Sequence, residues 1–443
     1  MNIQLSEHFT YRKLLRFTFP SMVMMAFTSI YGVVDGVFVS NFVGVEAFAA
    51  VNFIMPFLMI LGAVGFMVGT GGSALVSFTL GTGDARRANE IFSMLIYVLL
   101  AAGAVFTVSG MLLIEPVTRF LGADEEMLPV CVTYGRIVLA ALVPFMLQNT
   151  FQSFLVTAER PQFGLYITIA AGVSNMVLDA LFVAVFRWGV VGAALATSIS
   201  QFIGGVIPLV YFLFPNGSRL RLCRTGLNLR MLAKTCANGS SEFMTNISMS
   251  VVNMLYNWQL MRLMGADGVA VFGVIMYVNF IFVSIFLGYS IGSAPIVSFH
   301  YGAGNRTELQ GLLRKSLCLT AVFSVVLTAA ALLLARPLSL IFMSYDAALL
   351  AETVRAFSIY ALSFLMVGFN IFASSFFTAL NDGLTSALIS FARTLVFQIA
   401  AVLLLPLLWG VDGVWGAVNA AEALALVLSA TCLFLNGRKY GYM

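Results

Sequence analysis

Asp35 and Asp179 are carboxylates set in otherwise apolar sequence, and their type and surroundings point to chemistry. Asp35 lies in Tyr31-Gly32-Val33-Val34-Asp35-Gly36-Val37-Phe38, with no basic neighbour in sequence. Asn175 precedes Asp179 by one helical turn, so both side chains share a helix face, and Thr197 adds a hydroxyl on the following apolar segment. A bare charge away from water is too costly to keep, so an unpaired buried carboxylate must take up a proton or a cation. Two such groups close together also push one protonation step upward. The bland alternative is a pair of aspartates hydrogen-bonded within helix packing. The reading carried forward is one coupling site for a cation, built from Asp35, Asn175, Asp179 and Thr197. An oxygen-only set suits H+ or a hard ion such as Na+, with no other metal and no cofactor.

Other polar groups fall inside apolar runs, where each ionisable one costs roughly 2.5–3.5 kcal/mol at the bilayer centre. Arg393 and Glu422 fall on adjacent antiparallel segments at similar depth and read as a structural ion pair. Arg136 and Arg355 lie near one boundary and can snorkel. Glu242 reads equally as a satisfied boundary residue or as a gate acid. Gln148, Asn149 and Gln152 sit at helical spacing and read either as cavity lining or as interhelical hydrogen bonds. Gly65 and Gly69 read as a close-packing face. Five scattered cysteines and two histidines, His8 and His300, give neither a disulfide framework nor a metal centre. No nucleophile–base pair appears, so an intramembrane enzyme is not expected.

The elements that hold these groups are membrane helices. Hydrophobic residues make up 60% of the 443, charged residues 9%, and mean hydropathy is +0.98, whereas a soluble domain carries about 25% charge. Twelve apolar runs lie near 14–41, 47–80, 90–114, 128–157, 163–186, 190–214, 232–262, 269–300, 309–335, 348–378, 384–408 and 413–436. The second six repeat the first at a fixed offset of 221: Gly71 pairs with Gly292, Val76-Ser77-Phe78 with Val297-Ser298-Phe299, and Trp188-Gly189-Val190 with Trp409-Gly410-Val411. The expected fold is therefore an all-α polytopic membrane protein. Its twelve transmembrane helices form two six-helix bundles, related by a pseudo-twofold along the membrane normal. The bundles span 1–215 and 232–443, joined by a linker at 216–231. At the same offset Asp35, Asn175, Asp179 and Thr197 become Tyr256, Val396, Ala400 and Val418, so the oxygen set belongs to the first bundle alone. Arg12, Lys13, Arg16, Arg86, Arg87, Arg160, the linker arginines, Arg306, Arg314, Lys315, Arg438 and Lys439 all fall on one side, which makes both termini cytoplasmic. The net charge of +4 reflects that bias and needs no nucleic acid.

The sequence resembles the MATE family, the multidrug and toxic compound extrusion transporters. The likeness rests on Val34-Asp35-Gly36-Val37-Phe38-Val39, Gly44-Val45-Glu46-Ala47, Ser77-Phe78…Gly81-Thr82-Gly83-Asp84, and Pro295-Ile296-Val297-Ser298-Phe299-His300-Tyr301-Gly302. It is similar to the prokaryotic branch whose coupling acid lies in the first span. The resemblance implies a cation site at Asp35, Asn175, Asp179 and Thr197, with Tyr31 beside it and Pro20 as the hinge of span one. Ala294 and His300 depart from the family pattern and weaken any polar pathway in the second bundle. The expected function is secondary active multidrug efflux, exchanging lipophilic organic cations for H+ or Na+ by alternating access. An acidic interior with aromatic and methionine-rich walls would attract such cations, and Gln148, Asn149, Gln152 and Glu242 are candidate cavity residues. The resemblance also implies a monomer in a prokaryotic inner membrane. A lipid-linked saccharide flippase shares the duplicated architecture, yet its anionic cargo calls for central arginines.

Overall fold

The computed structural model describes residues 3–343 and 346–442, and every regular element among them is helical. The outermost residues of the two expected bundles, and the side chains of Val45 and Glu46 in the first family-like motif, fall outside this description. Helices are the only open-ended elements that satisfy every backbone polar group within one apolar segment, which is what the composition demands.

The first half contains α1 (Tyr11–Phe38, extended by a π turn Val39–Val43), α2 (Val45–Gly81), α3 (Ala85–Phe120), α4 (Met127–Ala140), α5 (Leu142–Thr157), α6 (Pro161–Asp179, extended by a π turn Ala180–Val185) and α7 (Gly189–Leu213). The second contains α8 (Leu229–Met264), α9 (Ala266–Gly302), α10 (Arg306–Met343), α11 (Ala347–Ala361), α12 (Phe364–Ala379), α13 (Gly383–Phe391, then a π turn Ala392–Phe397), α14 (Gln398–Leu404), α15 (Pro406–Trp409) and α16 (Val411–Tyr440). Thr10, Asp84, Asn228 and Asp382 cap α1, α3, α8 and α13, each accepting a backbone N–H in the first turn.

Two expected spans are not straight. The fourth is broken between α4 and α5 by 56°, and the tenth between α11 and α12 by 45°. The breaks fall at repeat-related positions, Ala141 and Leu362. Pro144 explains the first, since it cannot donate into the turn before it; the second has no proline and instead carries tight bonds such as Ser363 N–H to Tyr360 O. Among the described residues nine helices are long and apolar enough to cross a membrane, and the bent pairs raise this to eleven. The twelfth span is α8, 36 residues and therefore about 54 Å long. It is the polar one: Asn238, Glu242, Asn246, Asn253 and Asn257 follow one another along a single face.

The halves meet through reciprocal contacts that obey the repeat. A methyl group built on Gly81 would lie 2.1 Å from the Phe299 carbonyl oxygen, and one built on Gly302 would lie 2.1 Å from that of Phe78. Both pairs differ by the offset of 221, so α2 and α9 cross on the pseudo-twofold axis. Gly71 packs on the α8 backbone at Gly239, and its repeat mate Gly292 packs on α1 at Thr18, the mate of Gly239. The Ser298 hydroxyl donates to Ala74 O across the same seam at 2.6 Å. All these contacts lie toward the end of the bundle that carries the basic residues.

Residues 3–10 form a strap across that end. Leu5 and Phe9 are fully buried. The Leu5 N–H donates to Glu159 of the first half at 2.8 Å, while the Phe9 N–H donates to Glu308 of the second at 2.9 Å. His8 pairs with Glu308, and Lys315 donates to Phe9 O. Proline at position 20 is inside α1. Its ring leaves one carbonyl of the preceding turn without an N–H partner, yet the helix runs on without a break.

Candidate functional site

Asp179 is the last α-helical residue of α6, and the chain loosens into the π turn directly after it. Such turns leave local backbone groups imperfectly paired and recur at functional positions. Asp179 is fully buried and Asn175, one turn earlier, is 2% exposed. Asp35 approaches from the outer half of α1, where its carboxylate faces those of Asp179 and the Thr197 hydroxyl of α7. The four residues expected to act together thus converge from α1, α6 and α7.

Most of their oxygens find no donor among the described residues. Asp35 Oδ1, both carboxylate oxygens of Asp179, Asn175 Oδ1 and Thr197 Oγ1 are buried without a hydrogen-bond partner. Among the described residues neither aspartate forms an ion pair; each instead faces a second acid. An unsatisfied buried acceptor costs about 1–3 kcal/mol and more when charged, so this cluster is a standing demand for a positive species. Oxygen donors alone fit a proton or a hard cation in chemical type.

Three further side chains belong to the setting and were not singled out from sequence. Tyr134 of α4 is 1% exposed and aims its hydroxyl at Thr197, close to both acids. A tyrosine on an apolar helix is ordinary core material, so only the contact reveals it. Gly172 of α6 makes room for Tyr31, since a Cβ there would lie 2.6 Å from the tyrosine ring. Tyr277 of α9 reaches over from the other half, its hydroxyl 3.4 Å from where a Cβ on Gly36 would be.

The remaining expected residues divide. Tyr31 sits near Asp35, Gln148 and Thr28, so Gln148 joins the site as a second layer. Gly204 of α7 admits it, because a Cβ there would lie 2.6 Å from the Gln148 side chain. Asn149 turns back on its own helix and donates to Phe145 O at 3.0 Å. Gln152 is buried one turn beyond. Glu242 stands apart on α8, half-buried and within electrostatic reach of Arg393. Gly65 and Gly69 do lie against the backbone of α5, at Met146 and Thr150.

The second half supplies an internal control. Where Asp35 has its repeat mate, the Tyr256 hydroxyl donates to Gln398 Oε1 at 3.0 Å and its ring stacks on Phe272. Arg393 and Glu422 pair at 2.8 Å, and Asn370 donates to Glu422 Oε2 at 2.7 Å. Of the repeat mates of the four site residues only Tyr256 is polar, and it is paired.

A family model, MatE, matches the chain twice, over residues 20–181 and 243–404. The chain belongs to the MatE family. The first matched segment carries Asp35, Asn175 and Asp179. Across 95% of its length the chain is 21% identical to the multidrug export protein MepA of Staphylococcus saprophyticus, covering 91% of that protein. Its fold is that of an outward-facing multidrug resistance MATE transporter of the MOP superfamily (TM-score 0.93, 21% identity, 99% of this chain and 98% of that one). It also matches a MOP superfamily transporter from Pyrococcus furiosus for which reversed polarity of the binding pocket suggests a different function (TM-score 0.90, 22% identity, 99% and 97%). A shared fold therefore does not fix the use of the pocket, and the side chains of this chain must decide it.

Proposed function

We propose that this MatE protein is a multidrug efflux antiporter that exports lipophilic organic cations in exchange for H+ or Na+. The observation that carries the reading is the Asp35–Asp179 couple, two facing acids with orphaned oxygens in one half, whose repeat mates are a paired Tyr256 and an alanine, Ala400. Asp35, Asn175, Asp179 and Thr197 bind the coupling ion, Tyr31 and Tyr134 frame it, and Pro20 lets α1 yield. Glu242 and the polar face of α8 supply the second half's contribution to the substrate path. An acidic interior favours a cationic cargo, and Arg393, the arginine that a flippase of anionic lipid-linked sugars would recruit, is already neutralised by Glu422.

The basic end faces the cytoplasm of a prokaryotic cell, and the protein acts as a monomer in its plasma membrane. The reciprocal glycine seam and the strap then close the cytoplasmic side, which makes the state outward-facing. Ion binding in this state neutralises the acids, α1 shifts, and substrate leaves; the return releases the ion inward. Exchange requires ion and substrate to prefer different states, since equal affinity for both would move nothing. Reconstituted protein should accumulate or expel a fluorescent organic cation under a proton gradient or a sodium gradient, each imposed separately. Asp35→Asn should insert normally and lose that gradient-driven transport by at least tenfold. Wild-type rates in the variant would sink the assignment.

A further inference from the structure

A cavity of about 230 Å3 opens between the basic end of α1 and the start of α6, well away from the cation site. Its walls include Arg16 and Pro20 of α1, Glu159 and Arg160 of the α5–α6 turn, and Phe163 and Tyr166 of α6. Among the described residues neither arginine makes an ion pair. Arg16 is exposed; Arg160 donates Nη2 to the Gly217 carbonyl at 2.8 Å, which uses one of its five N–H groups. Glu159 is the acid of the cavity, and it is already engaged. Its Oε1 lies 3.3 Å from Arg219 Nε and accepts the Leu5 N–H. Two guanidinium groups thus face the cavity without an ion-pair partner among the described residues, although Arg160 lies within electrostatic reach of Glu159.

The position of the cavity narrows what that anion is. Arg16 lies in the second turn of α1, and Arg160 immediately precedes the first residue of α6, so both stand at headgroup depth. Tyr166, which lines it, is 66% exposed, as aromatic side chains are at a membrane interface. Guanidinium forks match phosphate oxygens in pairs, and basic pockets between helices on the cytoplasmic side suit anionic headgroups. We propose that this cavity holds the phosphate-bearing headgroup of an anionic phospholipid, and that its occupancy biases α1 through Pro20. The binding stands on the cavity alone; the effect on transport rests on the antiporter reading.

The test uses the full-length protein purified in detergent, with added phosphatidylglycerol, phosphatidylcholine or inorganic phosphate as probes. Phosphatidylglycerol should raise the melting temperature and persist as a bound adduct in native mass spectra, whereas phosphatidylcholine should do neither. Arg16→Gln and Arg160→Gln should each weaken phosphatidylglycerol binding roughly fivefold, on about 1 kcal/mol per basic residue. Lysine at either position should restore part of it, and Arg336→Gln at the opposite end should leave it unchanged. Equal stabilisation by inorganic phosphate would assign the cavity to a free anion and overturn the lipid proposal. An undiminished adduct in the double variant would overturn the site. Asp35→Asn separates the two readings: it should bind phosphatidylglycerol like the wild type while failing to transport. In vesicles, the wild type should respond to phosphatidylglycerol content and the double arginine variant should not.

Discussion

Asp179 is the most buried acid among the described residues, none of which donates to either of its carboxylate oxygens. In a structure selected only for stability such an arrangement would be replaced, because an amide at this position could donate to Asp35. Asp179→Asn should therefore raise the melting temperature by about 1 °C, on a gain of roughly 1 kcal/mol, while gradient-driven transport disappears. A lowered melting temperature would instead mark the couple as an ordinary structural network. Four of the site residues were legible in sequence because each places an oxygen in an apolar run, where an oxygen stands out. Tyr134 and Gly172 were not. A buried tyrosine and a small residue on a helix have many commonplace uses, and their part here depends on which neighbouring helix they face. Asn149 was read either as cavity lining or as a hydrogen-bonding residue, and one of its amide N–H groups donates to the Phe145 carbonyl one turn back.

Helices inherit the same logic at larger scale. Eleven of the twelve expected spans are apolar enough to be read as membrane-crossing from composition, two of them as bent pairs. The polar α8 was read in sequence as an apolar run over 232–262, although it is less apolar than the other spans, and its stripe of Asn238, Glu242, Asn246 and Asn253 recurs at a spacing of four to seven residues. The bends at Ala141 and Leu362 were not legible, since one has a proline nearby and the other has none. The pair between the π turn after α13 and α16 tests how far a buried charge is structural. Arg393→Gln would strand Glu422, whose side chain is 3% exposed, and should cost about 3–5 kcal/mol. Replacing both with methionine should recover most of that in a thermal melt; a double variant as unstable as the single would show a role beyond pairing. At the α12–α13 turn, burial works against the Asp382 charge. Hydrogen bonds from Tyr440 and Thr385 and the nearby Lys439 outweigh it and hold the carboxyl below its usual range. A depressed carboxyl stabilises the fold at neutral pH and loses that contribution as pH falls through its folded value. Tyr440→Phe should cost about 1 kcal/mol at pH 7, and the gap from wild type should close below about pH 4. A gap independent of pH would assign the loss to ring packing against Tyr301 and Phe377 instead.

For the whole molecule the decisive relation is the pseudo-twofold, which the offset of 221 announced in sequence. The offset said which residues are equivalent; it could not say that equivalent residues touch. A Cβ added to Gly81 would lie 2.1 Å from Phe299 O and one added to Gly302 the same distance from Phe78 O, so one axis passes between α2 and α9 and the seam is self-complementary, like the interface of a symmetric dimer. Close backbone approach at glycine is what allows two apolar helices to seal without a hydrophobic driving force between them. Substituting alanine at either glycine sets a methyl group against a carbonyl oxygen, and only separation of the helices relieves it. Gly81→Ala and Gly302→Ala should therefore weaken the closed seam by similar amounts, on the order of 1–3 kcal/mol each, although they sit in different halves. The strap adds a second closure, because Glu308 ties Phe9 and His8 to α10. Single cysteines placed along the seam should react with a membrane-impermeant maleimide added from the basic side severalfold faster in either glycine variant. Gly273→Ala, where no atom lies within 4 Å, should leave the rate unchanged. If one glycine variant opened the seam and its repeat mate did not, the two halves would not share the closure equally, and the axis would describe ancestry without governing the motion.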